Sequence, residues 1–117
     1  MKFSVTSSLI AITALSAGTT AFVIDTFGDS NCGQGNQNGV NIWDNTCATW
    51  PNGFKSFKIT TWGGSHQMAY FFAPGNCGSL PNNIKKGYVD STTYDFRLNE
   101  CVSFNGAAAN AIASYST

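Results

Sequence analysis

Apolar and β-favouring residues along this chain fall into short runs separated by Gly, Asn, Asp and Pro. Phe22-Val23-Ile24-Asp25-Thr26-Phe27 and Met68-Ala69-Tyr70-Phe71-Phe72 are β-type runs. Val40 and Ile42, and later Tyr94 and Phe96, alternate with their neighbours at the period of a strand with one buried face. The pattern predicts strands near residues 22–27, 34–38 (a weak pattern), 40–44 and 55–61, then at 66–72, 85–89, 93–98 and 107–115. Gly28-Asp29-Ser30-Asn31 and Ala73-Pro74-Gly75-Asn76 supply tight turns after the first strand of each set. The Ala-rich end has helix propensity, but its counterpart in the first half, Phe54-Lys55-Ser56-Phe57-Lys58-Ile59-Thr60, is β-like, so a strand is predicted there too.

The two halves repeat. Asn31-Cys32-Gly33 matches Asn76-Cys77-Gly78, and Asn45-Thr46-Cys47 matches Asn99-Glu100-Cys101. Val40 and Ile42 align with Tyr94 and Phe96, and Asn52-Gly53 aligns with Asn105-Gly106. Ile59 and Ile112 then fall at the same offset after their glycines. Two copies are too few for a solenoid, whereas two copies of a four-strand unit make a β-sandwich. The predicted fold is therefore all-β, a β-sandwich of two duplicated Greek-key motifs, with copies near 22–62 and 66–115.

The first 21 residues read differently. Met1 and Lys2 precede an apolar, small-residue stretch that ends at Thr19-Thr20-Ala21, which is the pattern of a secretory signal peptide. The stretch is too short to span a bilayer. Residues 22–117 then form one extracellular domain. In an oxidising space, Cys32, Cys47, Cys77 and Cys101 imply two disulfides. A zinc site is disfavoured because there is no Cys-x-x-Cys and only one His. Four cysteines allow three pairings. Repeat symmetry favours one bridge per copy, Cys32–Cys47 and Cys77–Cys101.

Composition narrows the function. Six basic and six acidic residues balance over the chain, and loss of Lys2 with the leader leaves about −1. Nucleic acid is not an expected partner at that charge. An aromatic content of 14% with only 10% charged residues excludes a disordered chain.

Ser56-Phe57-Lys58-Ile59, followed by Gln67-Met68-Ala69-Tyr70-Phe71-Phe72-Ala73-Pro74-Gly75-Asn76, resembles the junction between two Greek keys of the βγ-crystallin superfamily. In that family a Ser-containing last strand leads into an aromatic first strand and a folded hairpin. Phe27 with Gly28-Asp29-Ser30-Asn31-Cys32-Gly33 looks like the same hairpin in the first copy. The likeness is to small secreted fungal members, which carry Cys in the hairpin. The hairpin Gly sits one place early, and Ala109 stands where the first copy has Ser56. Many microbial members bind calcium through a loop that matches Asn52 to Phe57 and Asn105 to Asn110. Asn52 and Ser56 are retained in the first and only Asn105 in the second, too few oxygen ligands for calcium to be expected. No metal or other cofactor is expected.

No catalytic constellation stands out. Four paired cysteines leave no thiol nucleophile, and nothing around any Ser marks a triad with His66 and Asp90 or Asp95. His66 reads as a solvated linker residue. Asp90, Asp95 and Glu100 read as solvated carboxylates rather than a glycosidase pair. A non-enzyme is expected. Trp43, Trp50 and Trp62 are the candidate binding surface, although each alone is better explained by packing in the core or between the copies. Trp43 adjoins Ile42 and so points away from the Val40/Ile42 face. No Asn-x-Ser/Thr occurs, and Asn45-Thr46-Cys47 and Asn99-Glu100-Cys101 are acceptors of the rare cysteine type. The expected function is that of a secreted, monomeric, non-enzymatic interaction module, such as a fungal effector or a cell-wall-associated protein. Its partner would be a host protein or a wall glycan. The alternative is a killer-toxin-like antimicrobial acting on membranes. The negative balance and the small Lys85-Lys86 patch weigh against it, and no stable membrane insertion is expected.

Overall fold

A computed structural model describes residues 20–64 and 66–116. The predicted leader lies outside the described residues, apart from Thr20 and Ala21, which open the first strand. The elements are β1 (Thr20–Phe27), β2 (Gly35–Trp43), β3 (Thr46–Phe54), β4 (Ser56–Thr61), β5 (Gln67–Phe72), a 3-10 turn (Leu80–Asn82), β6 (Lys85–Tyr88), β7 (Val102–Ser103) and β8 (Ala109–Ser116). All strand pairs are antiparallel. They form two four-stranded sheets, β2-β1-β4-β7 and β3-β8-β5-β6. Each half gives three strands to one sheet and its third strand to the other. The all-β sandwich of two Greek keys is therefore present, with β3 and β7 exchanged between the halves.

Alternation along the strands supplies the core. Phe22 and Ile24 of β1, Ile42 of β2, and Phe57 and Ile59 of β4 point inward from the first sheet. Phe54, Ala69, Phe71 and Ile112 meet them from the second. Phe57 and Phe71 stack across the interface with centroids 4.5 Å apart. Phe104 and Phe96 close on this pair, Phe104 at 5.4 Å from Phe71 and Phe96 edge-on at 5.4 Å from Phe57. Offset and edge-on aromatic contacts of this kind add about 0.5–1.5 kcal/mol each beyond area burial.

The Ala-rich end is a strand, as its repeat partner indicated. β8 lies between β3 and β5 and is buried on both faces. Ile112 enters the main core. Ala111 and Ala113 lie under a second cluster with Phe72 and Cys77, flanked by Tyr70, Leu80 and Tyr115. The segment after β5 folds over this face, so only small side chains fit beneath it.

Three predicted elements change. Residues 34–38 and 40–44 belong to one strand, β2, which bends at Gly39. There φ is +64° and the N–H donates to Asp25 Oδ1 at 2.7 Å. The register slips at this point, with Ile24 facing Val40 but Thr26 facing Gln37, which is a bulge on an edge strand. β3 was not anticipated, because Trp50-Pro51 reads as a loop. Pro is tolerated here because β3 is the outer strand of its sheet. Residues 93–98 form no strand, and the third strand of the second half is the short β7. Tyr94 and Phe96 are therefore not the structural counterparts of Val40 and Ile42.

The disulfide pairing also differs from the within-copy expectation of Cys32–Cys47 and Cys77–Cys101. Cys32 bonds Cys101, and Cys47 bonds Cys77. Strand exchange is the reason. Cys101 precedes β7, which pairs with β4 beside the first hairpin. Cys47 sits on β3, which pairs with β8 in the sheet that the second hairpin covers. Each bridge therefore ties a hairpin of one half to the exchanged strand of the other.

Ser56 anchors the first hairpin. Its fully buried hydroxyl donates to the Asp29 carbonyl at 2.5 Å and accepts from the Cys32 N–H at 3.0 Å. Asp29 Oδ1 accepts from the N–H groups of Gly33 and Gln34 at 2.8 and 3.0 Å. The Gln34 N–H foremost, with that of Gly33, holds the Asp29 carboxyl below its ordinary value. At the equivalent place in the second half Ala109 has no hydroxyl. The second hairpin is closed between its strands by the Ile84 N–H bonding the Phe71 carbonyl at 2.8 Å.

Non-reducing peptide mapping is expected to recover the linked pairs Cys32–Cys101 and Cys47–Cys77. Removing either bridge by a double Ser substitution should destabilise the fold by about 4 kcal/mol on the chain-entropy scale for these loop lengths, read by denaturant unfolding. Ser56→Ala should lose about 1–3 kcal/mol, because a buried backbone donor is left unpaired. Thermal melting of the variant checks this.

Candidate functional site

The three tryptophans do not form one surface. Trp43 lies on β2 and is 41% exposed, while its neighbour Ile42 is buried. Trp50, expected as part of the binding surface, is instead a core residue at 3% exposure. It sits on β3 and packs edge-on to Phe54 at 5.2 Å. Its indole N–H has no hydrogen-bond partner among the described residues. Trp62 follows β4 and is half-buried against the core. Its Nε1 donates to the Phe96 carbonyl at 3.0 Å.

Trp62 gains a partner that the sequence did not suggest. The Tyr94 ring stacks on it with centroids 4.9 Å apart and planes 25° from parallel. Tyr94 is 44% exposed, and nearby Leu98 is 38% exposed. Leu98 bridges Ile59 of β4, and the Asn99 N–H bonds the Ile59 carbonyl at 2.8 Å. Ser91, Thr92, Thr93, Arg97, Asn99 and Glu100 are exposed around them. The result is a rigid aromatic ledge bordered by hydroxyl, amide and charged groups.

The ledge owes its rigidity to two carboxylates. Asp90 is buried. Its Oδ1 accepts from the Thr92 N–H at 3.0 Å, the Thr92 hydroxyl at 2.9 Å and the Thr93 N–H at 2.6 Å. Its Oδ2 accepts from the Gln67 N–H at 3.1 Å. Burial penalises the charged form, but these donors outweigh it and hold the carboxyl below its ordinary 3.8. Asp95 Oδ2 accepts from the Tyr88 N–H at 2.7 Å, and the Asp95 N–H returns a bond to the Tyr88 carbonyl at 3.0 Å. Gly87 lets this loop close on β6, since a Cβ there would lie 2.7 Å from the Phe96 ring. An Asp followed two residues later by Thr is an Asx-turn signal, and it was available in the sequence.

Gln67 ties the same end of the sandwich together. Its Nε2 donates to Asp44 Oδ1 at 2.9 Å and to the Ser114 hydroxyl at 2.7 Å. The Ser116 hydroxyl donates to Asp44 Oδ2 at 3.0 Å. His66 is exposed at the start of this segment with φ +57°. Asp90, read from the sequence as solvated, is instead buried, whereas Asp95 and Glu100 are exposed, Asp95 while also holding loop backbone. Ser56 is committed to the hairpin and Asn52 is exposed. Among the described residues no three His, Cys, Asp or Glu side chains gather in a metal-binding group. No helix among them is long and apolar enough to cross a membrane.

The lowered pKa of Asp90 gives a pH signature. Its stabilising contribution is full above the ordinary value of 3.8 and is lost as pH falls toward the lower folded value. Asp90→Asn should lose about 1–3 kcal/mol at neutral pH. The gap between the two proteins should narrow between about pH 5 and pH 2. Denaturant unfolding across that range checks it, with Asp29 present in both proteins.

Comparison with protein-family models, with curated proteins and with solved structures finds no match to this chain.

Proposed function

We propose that this protein is an extracellular, non-enzymatic binding module whose contact surface is the Tyr94–Trp62 ledge. The observation that carries this reading is an exposed aromatic face that is fixed in place before any partner arrives. Trp62 backs it, and the Asp90 and Asp95 bonds hold its loop. Pre-ordering removes part of the entropy loss of binding. A flat ring bordered by hydroxyl and amide groups suits the apolar face of a sugar, so a glycan of a cell wall or host surface is the proposed ligand. Two disulfides that engage all four cysteines are compatible with an oxidising, extracellular setting. The paired Greek keys and the Ser56-fastened hairpin support kinship with the small secreted βγ-crystallin-like proteins.

A glycan array with wild type and Tyr94→Ala tests the reading. Wild type should bind a defined set of glycans, and the variant should lose at least about tenfold in affinity, roughly 1.4 kcal/mol, with an unchanged melting temperature. Equal binding by both proteins would remove the ledge from the function. Vesicle leakage at low concentration would instead favour the membrane-acting alternative.

A further inference from the structure

Two asparagines at equivalent places in the repeat stand out because their side chains make no hydrogen bond among the described residues. Asn45 lies in the two-residue connection between β2 and β3, and Asn99 lies two residues before Cys101. Both are exposed and left-handed, with φ of +58° and +62°. Neither carboxamide is engaged among the described residues. Each opens an Asn-x-Cys triplet, Asn45-Thr46-Cys47 and Asn99-Glu100-Cys101. In such a triplet the third residue serves as an acceptor element only while it is a free thiol, since a disulfide removes its S–H.

The disulfide connectivity separates two sites that the sequence leaves equal. Cys47 bonds a partner 30 residues downstream, whereas the partner of Cys101 lies 69 residues upstream. In a chain entering an oxidising compartment N-terminus first, Cys101 meets Cys32 already present. Cys47 waits for its native partner until Cys77 arrives, a window on the order of seconds at typical synthesis rates.

The surface separates them as well. Trp43, two residues before Asn45, is 41% exposed, whereas Arg97 stands two residues before Asn99. An exposed indole two residues from Asn45 is the kind of flat apolar surface on which the apolar face of a sugar packs.

We propose that Asn45 is an N-glycosylation site, modified before Cys47 closes on Cys77, and that Asn99 is not modified. The inference rests on the extracellular reading above, with entry through a compartment that carries lipid-linked oligosaccharide. The Asn45 carboxamide nitrogen forms a bond to the anomeric carbon of the oligosaccharide. The bond from that carbon to the carrier's diphosphate oxygen breaks, the amide proton passes to solvent, and the lipid diphosphate leaves as the anion. Cys47 is unchanged by this step. It is oxidised with Cys77 afterwards, when thiol–disulfide exchange proteins of the compartment accept the two electrons.

Translation of the full chain with endoplasmic-reticulum microsomes tests the site without requiring a folded variant. Protease protection reports entry, and endoglycosidase-sensitive mobility reports the glycan. Protected wild type should carry one glycan, lost in Asn45→Gln and kept in Asn99→Gln. Added reductant, which holds every cysteine as a thiol, should raise occupancy at Asn45 and bring Asn99 into use. Protected chain with no glycan at Asn45, or equal occupancy of both sites without reductant, overturns the proposal. A chain that stays protease-sensitive overturns the extracellular reading, and the site falls with it.

Discussion

The exchange of third strands governs this molecule. Neither half closes a four-stranded sheet alone, because β3 completes the sheet of the second half and β7 that of the first. The aromatic cluster is divided in the same way: Phe57 comes from one sheet, Phe71 from the other, and Phe96 and Phe104 from the connections around β7. No half-sized core exists to fold first. Much of the stabilising burial comes from joining segments far apart in sequence, a topology associated with slow, cooperative folding.

The rest follows from that constraint. Each hairpin folds over its own sheet, and its cysteine lies within bonding reach of the strand contributed by the other half. A covalent tie between hairpin and neighbour is therefore a tie between halves. The second hairpin presses on β8 from outside while the core presses from within, which explains a run of alanines where strands usually carry larger residues. The first hairpin is shorter and uses the Ser56 hydroxyl instead. The two solutions show how an internal duplication diverges while its strand order is kept.

Much of this was legible in the residues, and the failures have physical causes. The equivalence of Cys32 with Cys77 and of Cys47 with Cys101 is correct. A twofold repeat is nevertheless compatible with all three pairings, so symmetry could not choose among them. Only the placement of β3 and β7 decides, and that is a long-range property. Trp50 was misplaced because Pro51 looks like a breaker, although an edge strand accepts it. Tyr94 and Phe96 have the spacing of a strand face, yet Asp90 and Asp95 hold their loop out of the sheet, so one ring enters the core and the other stacks on Trp62. The aromatic ledge thus depends on a tertiary partnership that alternation does not reveal.

The order of the bridges along the chain has a mechanical consequence. The Cys47–Cys77 loop is nested inside the one closed by Cys32 and Cys101. A backbone cut anywhere from residue 33 to 100 therefore leaves two pieces that remain covalently joined, and a cut between 48 and 76 leaves them joined twice. Tension applied at the two ends bypasses the chain between Cys32 and Cys101 and falls on the arms outside it, which carry β1, β7 and β8. A molecule nicked inside the outer bridge would therefore keep its pieces, and the residues of the ledge, covalently together.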